Sequence, residues 1–319
     1  MDDAGGSVSG NPAVGRVVDD AIGADVADAL GEGLAASDLT SLLLDVMSRR
    51  ASRRSPSDIM RQYEADRFTR PAQVDPRALL SMCSRAVDSL MPEFKLVETA
   101  PLVPLGTHSV VAGISQNCVV STIRSPEVAA DPTNSLALEA AVRRRTLLRR
   151  DPKTAELVQL ASIDRVVRGQ QFDGPRSFAH FTLLGLVTAG RDVGHRRFDT
   201  EALPQHVQAL MAVCRAVGFP ELLAQLTDFD GGSGTVIEAC AAALSREVSV
   251  EMWPERPAGR GYYESVCFKL SVIHNDETIE VADGGLVNWT QQLLDNRKER
   301  LMISGLSLER LTQLAAPAR

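Results

Sequence analysis

LVQLASIDRVVRGQQFDGPRSFAHFTLLGLVTAGRD, running from Leu157 to Asp192, decides how the rest of the chain is read. Val158, Leu160, Ile163, Val166 and Val167 mark one strand; Phe178, Phe181, Leu183, Leu184, Leu186 and Val187 mark a second, with Gly, Asp and Pro in the polar loop between them. Arg165 and Arg168 close the first strand and Arg176 sits in the loop, so a hairpin directs several guanidinium groups to one end. A planar fork of donors matches phosphate oxygens, so that end suits a polyanion such as ATP. The plainer alternative is that these arginines keep a sheet edge soluble. His180, flanked by Phe178 and Phe181, reads as a half-buried strand residue rather than a catalyst.

The 319 residues allow two average domains or one large one, and 44% hydrophobic content permits a sizeable core. A net charge of -7 and only 4% aromatic residues argue against a protein that coats nucleic acid, because phosphates need cations and bases need stacking faces. No apolar run reaches the ~20 residues that span a bilayer, and MDDAGGSVSG has neither the basic nor the apolar region of a signal peptide. A cytoplasmic protein without membrane association is expected. Cys83, Cys118, Cys214, Cys240 and Cys267 form no CxxC pair, so neither a zinc site nor a disulfide framework is indicated.

Outward from the hairpin, residues 1–57 read as an N-terminal extension, partly disordered, with one amphipathic helix beginning at Ser37-Asp38 and ending near the arginines 49–54. A core is expected over 58–319. Asp75-Pro76 opens a helix with Leu79, Leu80, Cys83, Val87 and Leu90 on one face. FKLVETAPLVPLG reads as a strand broken by Pro101 and Pro104, and His108 to Ile123 as a hairpin turning at Ser115-Gln116-Asn117. The helix LALEAAVRRRTLLRR, capped by Thr133 or Asn134, ends in arginines that complement its dipole and keep it soluble. Leu203 to Val217 is an amphipathic helix. YYESVCFKLSVI, ETIEVADGG and RLMISGLSL are strand signals, with the helix NWTQQLLDN before the last. Strands with helices grouped between them predict an α+β fold: a mainly antiparallel sheet flanked by helices.

The order of these pieces resembles the class II aminoacyl-tRNA synthetase catalytic core, and within it the histidyl-tRNA synthetase branch. Asp75 to Leu90 with FKLVETAP resembles the family's first motif, a long helix and a strand ending at proline. DRVVRGQQFDGPRSFAHFTLLGL resembles the second, and ISGLSLERL the third. RGYYESVCFKL and VADGGLVNWTQQLL are similar to two stretches of the histidyl branch, and RSPEVAADPTNSLALEAAVRRR sits where the family has a loop and helix that hold the substrate's ammonium group.

The resemblance implies ATP-dependent activation of an amino acid or small carboxylate by Arg168, Arg260 and Arg310. It implies ATP binding by Arg168, Gln170, Arg176, Phe181 and Arg310, with Mg²⁺ as cofactor and Glu280 and Asp283 as its candidate ligands. Glu127, Thr133, Tyr262, Tyr263, Gly284 and Gly285 are the implied substrate contacts. A homodimer through the first motif is also implied. Gln170 stands where the family usually has an acid that reads the adenine amino group, and Leu286-Val287 stands where the histidyl branch has Arg-Tyr. These two departures lean toward a regulatory paralogue or a changed substrate, while the chain's ending soon after Arg310, expected to leave no room for an anticodon-binding domain, and its acidic charge point to an acceptor other than ordinary tRNA, such as a small molecule or carrier protein. The alternatives are a non-catalytic regulatory paralogue, like the one that serves ATP phosphoribosyltransferase, and a true tRNA ligase.

Overall fold

A computed structural model describes residues 12–170 and 178–316. The chain divides into two compact units, Met1–Glu64 with Thr122–Ser125, and Ala65–Ser121 with Pro126–Arg319. In the first, α1 (Pro12–Val17), α2 (Ala24–Asp28), α3 (Ala36–Ser52) and α4 (Pro56–Ala65) are joined in part by wide helical turns at Val18–Ile22 and Ala29–Gly33. The segment 12–33 is thus helical, interrupted at Gly23, whose positive φ no helical residue shares. None of the described residues of α1 to α4 is buried.

In the second unit, α5 (Pro76–Asp88) starts where the sequence expects it: the Asp75 carboxylate caps Arg77 N at 2.9 Å and Pro76 occupies the first turn. The following strand shrinks to β1 (Lys95–Leu96), while β2 (Leu102–Pro104) pairs with β3 (Pro126–Val128) in a separate two-stranded sheet. The expected hairpin over His108 to Ile123 does not form. Thr107–Val111 makes a wide helical turn and Gln116–Cys118 a 3₁₀ turn instead. The physical reason is Glu127, fully buried, whose carboxylate collects His108 N (2.9 Å), His108 Nδ1 (2.6 Å), Gln116 Nε2 (2.9 Å) and Gly106 N (3.3 Å). A buried anion satisfied by four donors outweighs a marginal hairpin.

After α6 (Pro132–Arg150) come β4 (Val158–Val167) and β5 (His180–Arg191), antiparallel as expected from Val158↔Ala189 to Val167↔His180. The chain continues through α7 (Arg197–Ala216), β6 (Leu222–Asp228), α8 (Gly234–Leu244), β7 (Ser249–Met252), β8 (Val266–His274), β9 (Glu277–Val287), α9 (Trp289–Leu294), β10 (Glu299–Ser307) and α10 (Leu308–Leu314). The eight-stranded sheet runs β1-β4-β5-β10-β9-β8-β6-β7, antiparallel except where β1 joins β4 and β7 joins β6. This is the predicted α+β class. Among the described residues no helix is long and apolar enough to cross a membrane.

Period-2 alternation gives the sheet two faces. Leu184, Leu186, Met302, Leu306, Phe268 and Leu270 pack with α5, α7 and α8; Val187, Ala189, Leu301 and Ile303 face the other way with Leu136, Ala137 and Ala140 of α6. Arg144, expected among solubilising arginines, is instead fully buried on α6, where its guanidinium meets the buried Glu299 carboxylate through Nε–Oε2 (2.8 Å) and Nη2–Oε1 (2.9 Å). Only its neighbours in the run follow the surface reading: Arg143 pairs with Glu139 on the same exposed helix turn.

Between α7 and the sheet, His206 is fully buried, bonded to Thr188 Oγ1 and Ser304 Oγ at 2.8 Å each. Burial pushes its imidazole down to about 3, against roughly 6.5 in an unfolded chain. Between those values the unfolded state holds the extra proton, so stability is lost as pH falls below about 6.5. Urea denaturation of the protein and of His206→Gln at pH 7 and pH 5 should show the wild type losing about 2 kcal/mol more than the variant on acidification.

Candidate functional site

On the face that α6 only partly covers, the sheet floors a cavity of about 710 Å³ walled by the loop before α6, the end of β4, the loop before β8 and the start of α10. Its floor is open at Gly305: a Cβ placed there would meet nothing nearer than Leu184 O at 3.9 Å. Arg168 reaches the cavity from the end of β4. Its Nε donates to Ala130 O (3.0 Å), its Nη2 to Asp131 Oδ2 (2.8 Å), and its guanidinium lies 5.0 Å from the centre of the Phe181 ring. Arg310 enters from α10, whose first turn is capped by Ser307, and donates from Nη1 to Glu280 O at 2.6 Å. Arg168, Phe181 and Arg310, three residues separated in sequence, therefore line one cavity. Gln170 joins them, its backbone held by Arg67 (Nη1 to Gln170 O, 3.3 Å). Arg176 lies outside the described residues.

Of the implied substrate contacts, Thr133, Tyr262 and Tyr263 line the cavity, with the two tyrosine rings edge to face at 5.0 Å. Burial holds both hydroxyls far above the usual tyrosine range, so they stay protonated and can donate hydrogen bonds. Glu127 does not line the cavity: it is spent on the His108 network, whose donors hold its carboxyl below the usual range despite burial. Gly284 and Gly285 are not cavity walls either. A Cβ on Gly284 would come within 2.6 Å of Phe268, and one on Gly285 within 2.5 Å of Tyr263, so the pair lets a ring lie tight against each face of β9. Arg260 turns away, with Nη1 on Phe229 O (2.8 Å) and the guanidinium over the Phe229 ring.

The loop's cavity arginine is Arg256, which sequence reasoning missed. It binds Asp283 through Nη2–Oδ2 at 2.6 Å and lies over the Tyr263 ring at 5.6 Å. Asp283 faces the cavity, yet burial among protein atoms raises its carboxyl above the ordinary range, an upward push that Arg256 partly offsets. Glu280 pairs with Lys269. Both candidate magnesium ligands thus already hold a cationic side chain, and these two carboxylates do not fit a metal as they stand. Glu280 and Asp283 share the cavity face only because β9 carries a bulge: Ala282 pairs with Leu270 and Glu280 with Ser271, leaving Val281 as the extra residue. Also missed were Asp131, Glu309 and Gly305. Asp131 had a readable signal, since Asp-Pro-Thr is a capping aspartate with proline at the first helical position: Asp131 Oδ1 accepts from Thr133 N (2.9 Å) and Oγ1 (2.7 Å).

Compared with solved structures, the chain has the fold of the class II aminoacyl-tRNA synthetase catalytic core. It superposes on S. aureus histidyl-tRNA synthetase with a TM-score of 0.55 at 16% identity, covering 76% of this chain and 68% of that one. For an ATP phosphoribosyltransferase regulatory subunit/histidyl-tRNA synthetase from Bacillus halodurans C the TM-score is 0.58 at 14% identity, over 77% and 82%. For histidyl-tRNA synthetase from Nostoc sp. PCC 7120 it is 0.55 at 13%, over 78% and 74%. No protein-family model and no curated protein matches the sequence. At these identities the likeness establishes the fold alone.

The placement of Glu127 has a measurable consequence. Glu127→Gln removes a buried charge that four donors address and turns one of its acceptors into a donor, so chemical denaturation should report a loss of roughly 1–3 kcal/mol.

Proposed function

We propose that the cavity activates an amino acid or related small carboxylate with ATP, as an acyl-adenylate destined for an acceptor other than ordinary tRNA. The observation that supports this most is the convergence of Arg168, Phe181 and Arg310 around the open floor at Gly305. A ring face beside two guanidinium groups suits a nucleotide, whose base stacks and whose phosphates need fixed cations. The volume of about 710 Å³ suits a nucleotide together with a small second substrate.

In the proposed reaction a carboxylate oxygen attacks the α-phosphorus in line. The bond from that phosphorus to the oxygen bridging toward the β-phosphate breaks, and pyrophosphate leaves with the electron pair. No proton moves at the reacting atoms, so the protein's task is alignment and charge neutralisation. Arg168, held by Ala130 O and Asp131, is a cation fixed in position before ATP arrives. Arg310 supplies the second cation. Thr133, Tyr262 and Tyr263 wall the acyl end. Mg²⁺ would accompany ATP by bringing charge to the phosphates, and neither the attack nor the departure of pyrophosphate relies on a protein ligand to it. The net charge of -7 agrees with a non-RNA acceptor.

Arg260 favours a second reading, a regulatory paralogue that binds the same ligands without chemistry. The resemblance casts it as a partner of the reacting groups, yet it stands outside the cavity lining with its Nη1 on Phe229 O and its guanidinium over the Phe229 ring. In either reading we propose a homodimer through α5 and β1, where Leu80 is 71% and Leu96 50% exposed, the latter on the outer strand of the sheet.

Arg310→Ala should abolish ATP binding by calorimetry while circular dichroism stays unchanged; undiminished affinity would remove this site. Gly305→Val, which projects into open cavity, should weaken ATP binding by about tenfold or more. ATP–pyrophosphate exchange against a panel of amino acids separates the two readings: amino-acid-dependent exchange supports the enzyme, and none with any candidate leaves only the regulator.

A further inference from the structure

Glu127 and His108 are both fully buried, neither lines the cavity, and the proposed reaction gives them no part. Glu127 Oε1 meets the imidazole at Nδ1 (2.6 Å), and on the far side of the ring the backbone N–H of Ala130 donates to Nε2 at 3.0 Å. An amide N–H only donates, so Nε2 carries its lone pair and the ring's proton sits on Nδ1, directed at the carboxylate. Glu127 therefore fixes both the tautomer and the orientation of the ring.

Ala130 is where this pair meets the nucleotide site. The residue whose N–H is held by His108 offers its carbonyl to Arg168 Nε (3.0 Å), and the next residue, Asp131, offers Oδ2 to Arg168 Nη2 (2.8 Å). A second route leads from the same carboxylate. Gln116 Nε2 donates to Glu127 Oε2 (2.9 Å), and the turn Gln116–Cys118 presents Cys118 O to Gly169 N at 2.9 Å. A Cβ at residue 169 would lie 2.9 Å from that carbonyl, so the turn closes tightly on the residue after Arg168. Guanidinium and backbone of Arg168 are thus braced from Glu127 along two paths.

We infer that His108 is a positioning residue for Arg168: oriented by Glu127, it pins the Ala130 peptide so that the guanidinium stands in one place when ATP arrives. This rests on the reading of Arg168 as a nucleotide contact and adds the device that sets its geometry. Without an acceptor at Nε2 the buried Ala130 N–H is unmatched, and a shift of residues 130–131 toward another partner carries the guanidinium with it.

Asparagine and glutamine divide the two bonds of the ring between them. At position 108 an asparagine amide stands where Nδ1 does, donating to Glu127 without reaching Ala130; a glutamine amide extends to the level of Nε2, where its oxygen accepts from Ala130 N while Glu127 loses a donor. The test is calorimetric titration with ATP of the unmodified protein, Arg168→Ala, His108→Asn and His108→Gln, with urea denaturation of each. His108→Asn should weaken ATP binding by about tenfold or more, and His108→Gln by no more than about threefold. Equal weakening in the two, or weakening that follows their urea midpoints rather than the bond each keeps, makes His108 a support of the fold alone and overturns the inference. Undiminished affinity in folded His108→Asn, with Arg168→Ala weakened, overturns it too and leaves the nucleotide site standing. Undiminished affinity in Arg168→Ala, or no ATP binding by the unmodified protein, overturns the reading of the site, and the inference falls with it. Should His108→Asn not fold, the double variant His108→Asn with Glu127→Gln, whose two amides pair without a buried charge, is compared with Glu127→Gln alone: the same loss is expected, and none overturns the inference.

Discussion

Where α6 lies against the sheet, the guanidinium of Arg144 and the carboxylate of Glu299 meet through two parallel hydrogen bonds in surroundings that admit no water to either side chain. Such a pair contributes little net stability, but losing either member would strand a charge in the interior, so the geometry that joins them is enforced. It joins α6 to β10. The same helix begins at the Asp131 cap and carries Thr133 into the cavity, and the same strand supplies the cavity floor at Gly305. With Arg168 holding Asp131 at the other end of α6, wall and floor are set in one frame before any ligand arrives.

A second constraint is thickness. β9 runs between β10 and β8 with a ring on each side, Phe268 at Gly284 and Tyr263 at Gly285. A side chain at Gly284 would collide with Phe268 of β8, and one at Gly285 with Tyr263, whose ring lies under Arg256. The double glycine resembles a substrate-binding loop in sequence, and here it acts one step earlier, by letting Tyr263 stand close against β9 at the cavity wall.

What could be read from sequence, and what could not, follows from how locally each feature is encoded. The β4–β5 pair, β8, β9, β10 and α7 announce themselves by alternation or helical periodicity, and Arg168, Phe181 and Arg310 sit at strand ends and a helix start that those patterns locate. Arg144 is different. In the run Arg143-Arg144-Arg145 each residue turns about 100° from the last, and only the packing of α6 decides which of them meets Glu299. Arg256 and Arg260 belong to a loop without periodicity, so nothing in their spacing tells which one faces the cavity. The His108 to Ile123 segment misled because short β-branched runs either side of a turn look like strand whether or not a buried carboxylate further along the chain draws their backbone into turns. The cap of α6 is Asp131 rather than the expected Thr133 or Asn134: Asp-Pro-Thr carried that signal locally, and it was passed over.

The bulge at Val281 gives the site an unusual kind of dependence on its gene. Residues three apart on a regular strand point to opposite faces, so Glu280 and Asp283 share the cavity only because one residue more than the ladder requires lies between them. No single substitution exchanges the polar and apolar faces of a strand, whereas loss or gain of one codon does. Removing one residue between Glu280 and Asp283 would therefore turn Glu280 to the opposite face and strip the cavity of a carboxylate while leaving both residues in the sequence.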